Sequence, residues 1–173
     1  MDIHSFTLTT SKQEVFDAIK SQLETQNLSL AEIDMDRPWG GFIRLNDSEV
    51  NKFKEIYFSE VDFSAIPPET NLSPKILFVA PDKRLSWQYH HRRKEIWHVI
   101  VGPVKTALSS TDDEAITKEY QTGDLIKIEY GVRHRLIGAN NWGVVAEIWQ
   151  HTDPNNPSDE QDIVRLQDDF GRN

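Results

Sequence analysis

Gln88-Tyr89-His90, followed after four residues by Glu95 and after six more by Gly102, is the stretch that decides the fold. Downstream, Gly123-x5-Glu129-Tyr130-Gly131-x2-His134 supplies a second imidazole. One amide oxygen, one carboxylate and two imidazoles form a suitable first shell for a borderline divalent metal. Side chains alternate along a strand, so Gln88 and His90 share a face, while Glu95 follows on the next strand after a short loop. His134 belongs to a third strand. The four groups converge only if the sheet closes on itself, which predicts a metal-bearing β-barrel.

Strand signals continue on both sides of this stretch. Short apolar or alternating runs predict strands over Lys75–Ala80, Leu85–His90, Glu95–Val101, Val104–Ser109, Ala115–Tyr120, Leu125–Ile128, His134–Ile137 and Val144–His151, separated by turn-rich loops. Eight strands at this spacing suit a double-sheet jelly roll. Ahead of them, Ser11-x-x-Glu14 fits a capping box and Val15, Phe16, Ile19 and Leu23 share one helical face, which predicts a helix over 11–26. A shorter helix is expected over Ser48–Phe58. The organisation read from this pattern is one domain, 1–173. It comprises a helical and irregular extension (1–74), the barrel (75–152) and a tail (153–173) packing on it.

Composition narrows the function. The formal net charge is −9, which argues against nucleic acid or an anionic membrane as partner. No stretch approaches the roughly 20 apolar residues of a membrane span. The N-terminus lacks the layout of a signal peptide, so a cytoplasmic setting is expected. With no cysteine, any metal must be held by nitrogen and oxygen. Basic residues nevertheless cluster around the proposed site: Lys83, Arg84, Arg92, Arg93 and Lys94, with Arg133 and Arg135 flanking His134. Beside a metal on an acidic chain, such a group suits a phosphate receptor. Arg84 shares parity with Gln88 and His90 and is expected to face inward. Arg133 and Arg135 have the parity opposite to His134 and belong on the rim or outer face.

The two spacings resemble the signature motifs of the cupin superfamily, G-x5-H-x-H-x3-4-E-x6-G and G-x5-P-x-G-x2-H-x3-N. Gln88 stands in place of the first histidine, Asp82 of the leading glycine, Glu129 of the proline and Gly138 of the asparagine. Gln-x-His at that position is found in phosphomannose isomerases. A closer resemblance, to the C-terminal domain of bacterial type II phosphomannose isomerases, is carried by four segments in the family's order. They are Arg37-Pro-Trp-Gly40, Arg84-Leu-Ser-Trp-Gln-Tyr-His-His91, Gly131-Val-Arg-His-Arg-Leu136 and Asp162-Ile-Val-Arg-Leu-Gln-Asp-Asp-Phe-Gly-Arg172. The nucleotidyltransferase domain that precedes the cupin part in those enzymes is not expected within these 173 residues.

The resemblance implies a cupin jelly roll with N-terminal helices. It also implies a divalent metal on Gln88, His90, Glu95 and His134, with zinc first and iron, manganese or nickel as alternatives. The activity it implies is interconversion of mannose 6-phosphate and fructose 6-phosphate. Arg93 matches the active-site arginine of the family's His-His-x-Arg-x-Glu segment, which makes it the catalytic candidate and, with Arg84, the phosphate candidate. By the same analogy the chain pairs as a homodimer. One departure bears on activity: the family's histidine after the metal-binding glutamate is Ile96 here. Two other functions therefore stay open. One is a non-catalytic cupin that binds a sugar or sugar phosphate; the other is a different metal cupin enzyme, an epimerase or dioxygenase. Trp39 either lines a sugar site or plugs the barrel end. The sequence does not single out a catalytic base.

Overall fold

The computed structural model describes residues 1–171; Arg172, the end of the fourth segment above, and Asn173 lie outside them. Helix α1 (Lys12–Thr25) starts at the expected capping box: the Glu14 amide donates to Ser11 Oγ and the Ser11 amide to the Glu14 carboxylate. Helix α2 (Val50–Tyr57) follows a single 3-10 turn. The strands are β1 (Leu30–Asp34), β2 (Gly40–Leu45), β3 (Leu72–Val79), β4 (Trp87–His90), β5 (Arg93–Val101), β6 (Val104–Ser109), β7 (Lys118–Tyr120), β8 (Leu125–Ile128), β9 (Arg133–Gly138), β10 (Gly143–His151) and β11 (Ile163–Gln167). They form a six-stranded sheet in the order β1-β2-β3-β10-β5-β8 and a five-stranded sheet in the order β11-β4-β9-β6-β7. The fold is mainly β, a two-sheet barrel with N-terminal helices. No helix among the described residues is long and apolar enough to cross a membrane.

The alternation of β3, β5 and β10 divides the core in two. Outward residues Ile76, Phe78, Ile96, Ile100, Ala146 and Ile148 meet Val15, Phe16, Ile19 and Leu23 of α1 and Phe53 and Tyr57 of α2. Burying each large apolar side chain there contributes roughly 1.5–3 kcal/mol. Inward residues Leu77, Val79, Trp97, Val99 and Val145 meet Val104 and Leu136 of the opposite sheet, with Trp39 and Phe42. Trp39 thus packs inside the barrel.

Three local expectations are corrected. Residues 1–74 are not only helical and irregular, because β1 and β2 extend the larger sheet. The Gly40-Gly41 pair lets β2 lie close to β3: a Cβ on Gly40 would collide with the Phe78 carbonyl oxygen. The strand expected over Ala115–Tyr120 shortens to Lys118–Tyr120, and Ile116 is left in solvent. The strand expected from Leu85 begins at Trp87. The tail returns to the barrel wall, where β11 pairs with β4.

Candidate metal centre

His90 ends β4, Glu95 lies near the start of β5 and His134 lies near the start of β9, paired with Gln88. Sheet closure brings one ligand atom of each of the three to within 4.8 Å of the others, and all three residues are buried. The His134 Nδ1–H donates to the Val132 carbonyl at 2.9 Å. Its Nε2 is therefore a bare lone pair, and it faces Glu95 Oε2 at 3.5 Å without a hydrogen-bond partner. His90 Nε2 lies 3.2 Å from Glu95 Oε1. Burial, reinforced by the Arg93 charge, holds the His90 pKa well below the usual histidine range. Burial also lowers His134, against the pull of Glu95. Burial opposes ionisation of Glu95, but the Arg93 charge and its hydrogen bond outweigh it and keep the carboxylate ionised. Lone pairs facing one another with no hydrogen between them repel unless a cation joins them. Two neutral imidazoles and a carboxylate fit a borderline divalent ion, and the Val132 bond fixes the His134 tautomer as such ligation requires.

Gln88 stands at the edge of this group. Its Oε1 accepts from Ser86 Oγ at 2.6 Å, and its Nε2 lies 3.5 Å from His90 Nε2. Half a turn of the amide would keep a bond to Ser86 and aim Oε1 at the cluster. Arg93 is buried beside it. The guanidinium donates to Glu95 Oε1 at 2.7 Å, His90 Nε2 at 3.0 Å, Ser158 Oγ at 3.0 Å and the Asp159 carbonyl at 3.4 Å, and stacks 3.6 Å from the Trp149 ring. Those bonds leave one of its five N–H groups for a ligand. Arg84 is placed elsewhere. It binds the Asp169 carboxylate through Nε at 2.6 Å and an NH2 group at 2.8 Å, next to Glu114, and does not line the cavity beside the cluster. The parity counted back from Gln88 does not reach it, since β4 begins at Trp87. Arg133 and Arg135 pair with Asp112 and Glu114; Arg135 is nonetheless fully buried, covered by Gln167 of β11.

Ile96 packs among the outer core residues with the helices, and His98 lies against Phe58 on the same face. The exchange at position 96 therefore removes no group from the barrel interior. Two interior residues escaped the sequence reading. Glu147 accepts from Trp97 Nε1 at 2.8 Å; burial, then the nearby Glu95 charge, push its pKa up to about 8. Lys75 lies between the Phe42 and Trp149 rings, its Nζ 3.9 Å and 4.4 Å from the two centroids. Burial lowers the Lys75 pKa, opposed by Glu147 and Glu160. Each is a lone charge inside an apolar run, Pro74–Val79 or Val144–Trp149, and falls on the inward parity. That combination was visible in the sequence.

Two spaces with shared walls adjoin the site. A small interior cavity of 50 Å³ touches Gln88, Arg93, Glu95, Glu147 and Lys75. A cleft of 820 Å³ at the barrel mouth is walled by α2, the 66–72 segment and the 157–160 turn. The two share Phe42, Lys75, Trp149 and Glu160.

Residues 45–168 match the family described as mannose-6-phosphate isomerase C-terminal. This chain belongs to that family. No curated protein matches it in sequence. Among solved structures, tomato (Solanum lycopersicum) vicilin is similar at 16% identity over 77% of this chain and 35% of its own, with a TM-score of 0.53. Hazelnut (Corylus avellana) vicilin is similar at 17% identity over 74% and 34%, with a TM-score of 0.51. A cupin 2 conserved barrel domain protein from Salinispora arenicola is similar at 17% identity over 69% and 81%, with a TM-score of 0.46. The chain spans about a third of the length of each vicilin. These likenesses concern the fold, and this member of the mannose-6-phosphate isomerase C-terminal family has a cupin-like barrel whose His90, Glu95 and His134 can hold a metal.

Proposed function

We propose that this chain is a metal-dependent aldose–ketose isomerase that interconverts mannose 6-phosphate and fructose 6-phosphate. The observation that carries this reading is the convergence of three buried ligand atoms, from His90, Glu95 and His134, beside Arg93 in a chain of this family. Gln88 is the fourth ligand in this proposal, and zinc is the preferred ion for an all nitrogen and oxygen set. When bound, such an ion supplies a Lewis acid to the oxygens of the substrate's first two carbons. Arg93 holds Glu95 ionised and in place, and its remaining N–H is directed at a substrate oxygen. Trp97 fixes both Glu95 and Glu147 through its indole N–H. The burial of these groups excludes water from the reacting end. A hexose does not fit in 50 Å³, so its reacting end enters the interior while the rest occupies the 820 Å³ cleft. The outward placement of Ile96 supports turnover despite the missing family histidine.

The test is a coupled assay of mannose 6-phosphate conversion with zinc-loaded protein, before and after chelation, alongside His134→Ala. Turnover that vanishes on chelation, returns with zinc and is absent in the variant is the expected outcome. Sugar-phosphate binding without turnover in the loaded protein would replace the isomerase reading with that of a binding module. Iron-dependent oxygen consumption would replace it with an oxygenase.

A further inference from the structure

Lys75 is a cation of this cavity that the metal centre leaves without a role. It is 6% exposed, it lines both the interior space and the outer cleft, and among the described residues its Nζ makes no hydrogen bond. A buried ammonium with unused donors requires an anionic partner. The nearest acid within ion-pair range is Glu160 Oε1 at 3.9 Å, too far for a hydrogen bond, and the Glu160 side chain is 47% exposed on the cleft's 157–160 turn. The other cations lining the interior cavity are Arg37, paired with Asp34 and Glu160, Arg93, bound to Glu95, His90, Ser158 and Asp159, and Arg165 of β11, opposite Gln88; Arg84 binds Asp169 outside the cavity. At the cleft wall Arg44 pairs with Glu32 and Asp47.

Register sets the reach. Across β3, β10 and β5, Lys75 lies opposite Glu147, which lies opposite Trp97; the next inward row is Ser73, Trp149 and Glu95. Lys75 is thus two strands and one inward step from Glu95, about 12 Å between Cα atoms at ~4.8 Å per strand and ~3.4 Å per residue. Both side chains point into that gap, which suits a sugar held at one end by the metal centre and at the other by an anion receptor.

We propose that Lys75 is the anion receptor of this barrel: it binds the phosphate of the sugar substrate between the Phe42 and Trp149 rings, displacing the Glu160 carboxylate. The substrate class rests on the isomerase reading above; the receptor itself rests on the geometry of Lys75. A sugar carboxylate offers the same charge, so the probes must separate the two.

Calorimetric titration of the zinc-loaded full chain with mannose, mannose 6-phosphate and mannuronate makes the separation, using Lys75→Met, which keeps the length and apolar body of the side chain. Mannose 6-phosphate should bind the variant at least ten-fold more weakly, with mannose unchanged. Glu160→Gln, at an exposed turn, should bind mannose 6-phosphate several-fold more tightly, and it serves as the check if Lys75→Met does not fold. Unchanged mannose 6-phosphate affinity in Lys75→Met, or in Glu160→Gln, overturns the receptor even if turnover is normal. Preference for mannuronate through Lys75 overturns the phosphate assignment. Lys75-dependent binding of mannose 6-phosphate without turnover supports the receptor and rejects the isomerase. A native chain that binds no mannose 6-phosphate rejects both.

Discussion

Adjacent residues of β5 live in opposite chemical surroundings at the same depth. Glu95 is 3% exposed and Ile96 is 2% exposed. Ile96 and Ile100 face the helices in an apolar layer. Glu95 and Trp97 face the barrel interior, where His134 Nε2, His90 Nδ1 and Glu147 Oε2 are buried without hydrogen-bond partners. Burial does not separate the two faces; the number of buried polar groups does. The outer face is apolar apart from His98, whose Nδ1 is buried without a partner, and contributes stability. The inner face carries polar groups whose desolvation is unfavourable unless a ligand completes them, which is where function concentrates.

Breaking the inner face should have the largest effect. Glu95→Ala leaves Arg93 buried without its carboxylate, and stability should fall by about 3–5 kcal/mol in chemical denaturation. Metal content should fall with it. A loss below 1 kcal/mol would mean that Glu147 takes over as the counter-ion of Arg93.

Ile96→Ala, one residue away, should cost about 2–4 kcal/mol through the cavity left against the helices. Unlike Glu95→Ala, it should leave metal stoichiometry untouched, as read by elemental analysis. Loss of metal in Ile96→Ala at a temperature where the variant is folded would show that the two faces are coupled through β5.

The metal candidates were legible because strand parity and motif spacing are local: His90, Glu95 and His134 needed only correct periodicity and a closed sheet to meet. Their neighbours were less so. Leu30-Ala-Glu-Ile-Asp34 is a mostly exposed edge strand with little apolar signal, and Gly40-Gly41 weakens the strand reading of β2. Arg84 was misplaced by extending a four-residue strand's parity beyond its first residue. Arg135 has the outer parity expected of it, but its burial depends on the tail strand, a contact 32 residues away in sequence. Such partners are set by tertiary packing and leave no local trace.

His151 sharpens the comparison by pH. It lies on the inward side of β10, yet unlike His134 it is fully partnered: the Ser158 amide donates to Nδ1 at 2.9 Å and Nε2 meets Ser73 Oγ at 3.0 Å. The amide bond requires a lone pair on Nδ1, so the ring is neutral. Burial, then the Arg93 charge, lower its pKa. The unfolded chain therefore takes up the proton first. The stability this neutral ring contributes is fully present above the ordinary histidine pKa of about 6.5 and is lost as pH falls toward the depressed folded value. His151→Gln should flatten the fall in stability between about pH 7.5 and 5.5 in denaturation of metal-free protein. Identical slopes in the two proteins would mean that the ring is already free to protonate when folded.

Arg84→Ala should have the smallest effect. Its bidentate bond to Asp169 is geometrically good, but the side chains are 34% and 38% exposed, so solvent screens the pair. A loss of about 0.5–1 kcal/mol is expected. Because Arg84 does not line the interior cavity, sugar-phosphate affinity should stay within two-fold, roughly 0.4 kcal/mol on the scale where ten-fold is about 1.4 kcal/mol. The comparison with Arg93 is direct: one arginine secures the tail to the barrel wall, the other secures the metal-binding carboxylate. A larger drop in mannose 6-phosphate affinity for Arg84→Ala than for Lys75→Met would return the phosphate to the smaller sheet and reverse the assignment of the two cationic regions.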